Sequence, residues 1–80
     1  MFKFESNQTV VTPESTGVIL KVSNYLDNKE LIDESIYESG WEQQTEMSKE
    51  ELNWYLIKEE FNGEELYMWY DEEELYEFNK

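Results

Sequence analysis

Apolar and polar positions alternate toward both ends of this chain and lose that rhythm in the middle. "FKF" (Phe2 to Phe4) alternates, and "TVVTPESTGVILKV" sets two β-branched runs either side of Pro13-Glu14-Ser15-Thr16-Gly17, a turn-forming cluster. In the second run Val18, Leu20 and Val22 share one face and Ile19 and Lys21 the other. The pattern predicts a hairpin whose apolar second strand, 18–24, takes a central place.

"ELIDESIYESGWEQQ" supports two readings: a strand presenting Leu31, Tyr37 and Trp41 on one side, or a short helix from Asp27 or Asn28 that stops before Gly40. We expect a short helix or irregular segment around 28–38, then extended chain through Trp41.

"SKEELNWYLIKEEFNGEELYMWY" is also ambiguous. Ser48 with Glu51 fits a capping box and a helix ending at Gly63. Asn62-Gly63, flanked by alternating aromatics, instead fits a type I′ hairpin turn. That turn sets Phe61 opposite Glu64, Ile57 opposite Met68 and Tyr55 opposite Tyr70. Tyr55, Ile57, Phe61, Leu66, Met68 and Tyr70 then line one face, and Trp54, Leu56, Tyr67 and Trp69 the other. A helix would spread Trp54, Tyr55, Leu56 and Ile57 around its whole circumference, so strands 53–61 and 64–70 are expected, with at most one helical turn at Ser48 to Leu52. Beyond them Asp71 can cap a helix, with Glu72 and Glu73 in its first turn, Glu74 three residues on, and Leu75 and Phe78 able to dock together. The predicted fold is a single α+β domain over 1–80, a small antiparallel sheet of about four strands with a short acidic C-terminal helix. That helix is the expected cover for Trp54 and Trp69; a homodimer interface is the next.

Charge changes the picture. The 80 residues carry 20 acids against six lysines, a net charge of −14. Residues 1–26 are neutral, whereas Asp27 to Glu77 hold 18 acids and three lysines. A highly charged chain of low hydropathy tends to disorder, but three Trp, six Tyr and four Phe supply a core.

The chain has no Cys, His or Arg, which removes disulfides, thiolate chemistry, the commonest general base and the usual phosphate clamp. Carboxylate pairs alone could hydrolyse glycosides, but only across a sugar cleft that a chain this short does not readily build. The acids lack the D-x-[DN]-x-[DN]-G spacing of a calcium loop. We therefore expect no enzyme, no cofactor and no dedicated metal site. Nucleic acid and anionic membranes would be repelled. No apolar run approaches the ~20 residues of a membrane span, and "MFKFESNQ" lacks signal-peptide features, so a soluble protein of the cytoplasm is expected.

The unspent feature is the density of acids. In the hairpin register Glu60 faces Glu65, with Glu59, Glu64, Asp71, Glu72, Glu73 and Glu74 close by. Like charges placed opposite one another destabilise a sheet, and functional sites are where a sequence breaks its own local rules, so this frustration points to binding. Same-face strand residues lie ~6.6 to 6.8 Å apart, close to the separation of successive phosphates on a nucleic-acid strand. A strongly basic protein surface is the natural counterpart. The other reading is an acidic adaptor or structural protein that binds a partner through its aromatic face, Trp54, Tyr67 and Trp69.

In size, charge and aromatic content the whole chain resembles the small acidic DNA-mimic inhibitors encoded by bacteriophages and mobile elements. More locally, "GVILKVSN" (Gly17 to Asn24), then "GWEQQTE" (Gly40 to Glu46) and an acid-rich stretch are similar to segments of an anti-CRISPR protein that blocks a Cas-type nuclease. The resemblance implies a non-enzymatic inhibitor acting in the host cytoplasm on a basic DNA-binding protein, such as nucleoid protein HU or a Cas-type nuclease. It also implies that Glu42 and Glu46 stand in for the DNA of a PAM site. The DNA mimics differ in fold, so it implies no architecture.

Overall fold

The computed structural model describes residues 1–43 and 45–79. Five antiparallel strands, β1 (Thr9–Val11), β2 (Thr16–Asn24), β3 (Asn53–Phe61), β4 (Glu64–Asp71) and β5 (Tyr76–Glu77), form one sheet in the order β4-β3-β2-β1-β5. One helix, α1 (Lys29–Ser39), follows a 3₁₀ turn at Leu26–Asn28. The fold is α+β as expected and α1 matches the short helix expected around 28–38, but the sheet has five strands and α1 is its one α-helix among the described residues. Phe2 to Phe4 is not a strand; Phe4 inserts into the core as a bend.

Asn62 (φ 53°) and Gly63 (φ 81°) form the tight β3–β4 turn, which fixes the expected register: Phe61 opposite Glu64, Ile57 opposite Met68, Tyr55 opposite Tyr70. α1 stops at Gly40, whose φ of 69° is the left-handed end that a side chain disfavours. Ser48 and Glu51 make a single turn: the Glu51 and Leu52 N–H groups donate to the Ser48 carbonyl.

Two expectations fail for identifiable reasons. The register of β2 against β3 slips between Ile19 and Lys21. Leu20 is the extra residue, so Ile19 and Val22 face the main core and the predicted Val18/Leu20/Val22 face is broken. Asp71 does make the predicted capping box, accepting from the Glu73 and Glu74 N–H groups while Glu74 accepts from Asp71 N–H, but the turn it starts, Glu72–Glu74, is 3₁₀ and one turn long. Leu75 is then extended (φ −106°, ψ 146°) and buried, and Tyr76 and Glu77 pair with Val11 and Val10. Burial of Leu75 and pairing along β1 outcompete helix propagation, so there is no C-terminal helix.

This connection requires a coiled sheet. Asp71 lies level with Ser23 of β2, through Trp54, and Tyr76 level with Thr16, through Val11. On a flat sheet those levels would be about 20 Å apart along the strands and about 19 Å apart across them. Five residues reach at most about 18 Å. The sheet therefore curls around Phe4, Val10, Ile19, Tyr55, Ile57, Tyr70 and Leu75. α1 packs Ile32 and Ile36 on the convex face against Tyr25, Leu52, Trp54, Leu56 and Trp69. It does the covering that was expected of the C-terminal helix. No helix among the described residues is long and apolar enough to cross a membrane.

Candidate functional site

The acidic residues divide into those that hold the fold and those that face water. Glu59, on β3, is 5% exposed and sits beside Gly17, where a side chain on the neighbouring strand would collide with it. Its carboxylate accepts from the Tyr70 hydroxyl, from Thr12 Oγ1 (2.8 Å) and from Ser15 Oγ (3.3 Å), joining the β1–β2 turn to the β3–β4 hairpin. Asp71, also buried, accepts from Trp41 Nε1 as well as from its own capping turn. Glu72 accepts from the Tyr55 hydroxyl, Asn53 Nδ2 (3.0 Å) and the Lys3 N–H (3.1 Å). Burial opposes its charge, but these donors prevail and hold the Glu72 carboxyl below its ordinary range. Glu74, half-buried, has no such surplus of donors: burial, with the neighbouring Asp71 charge, pushes it up to about 7.

Of the ten acids the sequence singles out, Glu59, Asp71, Glu72 and Glu74 thus serve internal hydrogen bonding. Glu42, Glu46, Glu60, Glu64, Glu65 and Glu73 are exposed. Glu60 does face Glu65 across the hairpin, beside Glu64 at its tip. Trp54 is fully buried and Trp69 6% exposed beneath α1, which leaves Tyr67 as the accessible member of the aromatic trio. Gln44, inside the Gly40 to Glu46 stretch, lies outside the described residues.

The structure adds a row the sequence reading missed. Glu30, Glu34 and Glu38 recur every four residues on the solvent side of α1, and Glu42 continues the spacing beyond Gly40. Four helical residues rise about 6 Å. Like charges at this spacing repel along the helix, and the periodicity was legible as soon as 28–38 was read as helix. Asp33, one turn of the same helix away, is different: the Tyr25 hydroxyl (2.6 Å), Lys29 and Lys49 surround it and hold it down to about 2. Asp33 is the one carboxylate in an ion pair among the described residues, whereas fifteen of the twenty acids are exposed. No group of three acids among the described residues converges on a metal-sized space.

A cavity of about 580 Å³ opens on the concave side at the hairpin end. Phe61, Leu66, Met68, Tyr70 and Trp41 give it apolar walls; Glu14, Glu38, Glu42 and Glu74 contribute to its lining. Compared with protein-family models, curated proteins and solved structures, the chain has no match.

Proposed function

We propose that this protein is a non-enzymatic DNA-mimic inhibitor, encoded by a phage or mobile element, that occupies the basic DNA-binding surface of a host protein in the cytoplasm. The observation that carries the reading is the display of uncompensated charge: fifteen exposed carboxylates with a single ion-paired acid. A surface selected only for solubility would intersperse both signs. Here the α1 row, Glu30, Glu34 and Glu38, and the hairpin tip, Glu60, Glu64 and Glu65, put like charges side by side at a cost to the elements that bear them. The repeat of about 6 Å along the helix and ~6.6 to 6.8 Å along a strand is of the order of phosphate spacing. Binding would draw on the same steering and complementary potential that bring DNA to a basic groove.

The test is capture from a bacterial lysate on the immobilised protein, with and without excess duplex DNA. A basic DNA-binding protein, of the HU or Cas-type nuclease kind, should bind, leave the column between ~50 and ~200 mM salt, and be displaced by added DNA. Replacing Glu30, Glu34 and Glu38 with Gln should weaken that capture. A bound protein that is not basic and ignores both salt and DNA would sink the proposal.

A further inference from the structure

The cavity lies beside a stretch of sheet edge that the fold leaves open. β4 has no strand on its outer side. At Trp69 that edge is closed by α1: the Trp69 N–H donates to Ser35 Oγ (3.0 Å), and the Ser35 hydroxyl donates to the Trp69 carbonyl (3.5 Å). At Asp71 it is closed by Glu74, which accepts from the Asp71 N–H (3.1 Å). Both residues therefore turn their backbone groups away from β3. The pairing of β4 with β3 runs without a bulge from Asp71 to Glu64, so the two-residue period turns the N–H and C=O of Tyr67 and Glu65 outward as well. Among the described residues nothing bonds to them.

The side chains of this open half are sorted by face. Leu66 and Met68 form the apolar wall of the cavity, with Phe61 and Tyr70 next to them and Glu14, Glu38, Glu42 and Glu74 completing its lining. Glu65 and Tyr67 project on the other face, where Glu60 lies opposite Glu65. A strand laid along this edge would meet apolar surface with every second residue and carboxylates with the residues between. Pairing of two copies of this chain is opposed by the same acids, since each copy carries −14.

We propose that the open half of β4, Glu64 to Met68, with the adjoining cavity, docks an extended segment of a partner protein in which apolar and basic residues alternate. The segment adds a sixth strand through its main chain. Its apolar residues fill the cavity beside Leu66 and Met68, and its lysines or arginines reach Glu65 and Glu60. Its paired stretch is short, because Ser35 ends the open edge at Trp69. The proposal extends the proposed function, resting on it for a basic partner, and assigns to that partner an extended arm as well as a charged groove.

The probe is a labelled nine-residue peptide of alternating lysine and valine, compared with a peptide of the same composition that has all its lysines first. Fluorescence anisotropy should show the alternating peptide binding several-fold tighter, and the Tyr67 and Glu65 amides should become protected from hydrogen exchange. Tyr67→Pro removes the outward N–H without touching a bond to β3 and should weaken the alternating peptide about three- to tenfold relative to Tyr67→Val, which loses the same ring and its hydroxyl bond to Glu65 but keeps the N–H. Equal binding of both peptides, or binding without protection of Tyr67, overturns the proposal. So does protection of Tyr67 that grows with protein concentration in the absence of peptide, which would make the edge an interface between copies. The two readings fail separately. If Tyr67→Pro leaves both peptide binding and lysate capture intact, the groove falls and the mimic stands. If the peptide docks as described while lysate capture ignores DNA and salt, the mimic falls and the groove stands.

Discussion

Replacing Glu74 with Gln should make this protein more stable, and more so as pH rises. Glu74 lies half-buried at the capping turn, its Oε1 accepting from the Asp71 N–H, with the Asp71 carboxylate as a neighbour. Burial and that charge raise its carboxyl from the ordinary 4.5 of a free glutamate to about 7. Between those values the folded protein holds a proton that the unfolded chain has released, so folding stability falls as pH rises through this window and levels off above it. Each unit of offset corresponds to about 1.4 kcal/mol. From about pH 5.5 to about pH 7 the ceiling is therefore about 2 kcal/mol, and solvent access to a half-buried group reduces the expectation to about 1 kcal/mol. Glutamine keeps the acceptor for Asp71 N–H and carries no charge at any pH. Urea unfolding followed by tryptophan fluorescence, on both proteins from about pH 5.5 to about pH 8.5, reads the difference directly. The stability of the variant minus that of wild type should grow by about 1 kcal/mol up to about pH 7 and then stay flat. A difference that is constant across the range, or that shrinks with rising pH, would refute the burial and charge assigned to Glu74.

Gly17→Ala places a methyl 2.3 Å from Ile57 Cγ2 and 2.9 Å from the Lys58 carbonyl oxygen. It should cost about 2 to 3 kcal/mol in denaturant unfolding; an unchanged midpoint would contradict the close approach of β2 and β3. Ser35→Ala strips the Trp69 N–H and C=O of their partner at a buried position and should cost about 1 to 3 kcal/mol, with faster exchange of the Trp69 amide as a second readout. Tyr70→Phe removes a donor from buried Glu59 and should cost a similar amount; a double-mutant cycle with Glu59→Met, which keeps the length of the side chain and removes the acceptor, should give a non-additive result, and strict additivity would show the contact carries no energy. Changing Glu34 and Glu38 together to Gln relieves two like-charged pairs, leaves Glu30 in the first turn where the helix dipole favours it, and should stabilise the protein by about 0.5 to 1 kcal/mol, so that a loss of stability would show these two carboxylates are engaged within the fold.

Local signals with a steric or hydrogen-bonding cause were legible in the sequence. Asn62-Gly63 fixed the hairpin register to the residue, because few other pairs accept two positive φ values, and Gly40 marked the end of α1 for the same reason. The capping box at Asp71 forms as its spacing predicts, but a cap reports where a helix can start and not how far it runs. Its length was decided by Leu75 and β1, which sequence reading does not bring together. The Leu20 bulge has no sequence mark of its own, so the simple alternation along β2 does not give its two faces. The acidic surface divided in the same way. Total charge was plain from composition, whereas the internal roles of Glu59, Asp71 and Glu72 depend on donors, Tyr70, Trp41 and Tyr55, that only the fold delivers.

The path of the chain from β4 to β5 also governs how the molecule comes into being. Val10 and Glu77 pair although they stand sixty-seven positions apart, and Phe4 and Leu75 share one core. Contacts of that separation gain nothing until the intervening chain is made, so their loop entropy delays closure and favours an all-or-none transition. During synthesis the first strands have no finished core to join until Leu75 is free of the ribosome. Until Leu75 has been delivered to that core the chain is an open polyanion, and mutual repulsion among the carboxylates that later cover its surface opposes aggregation.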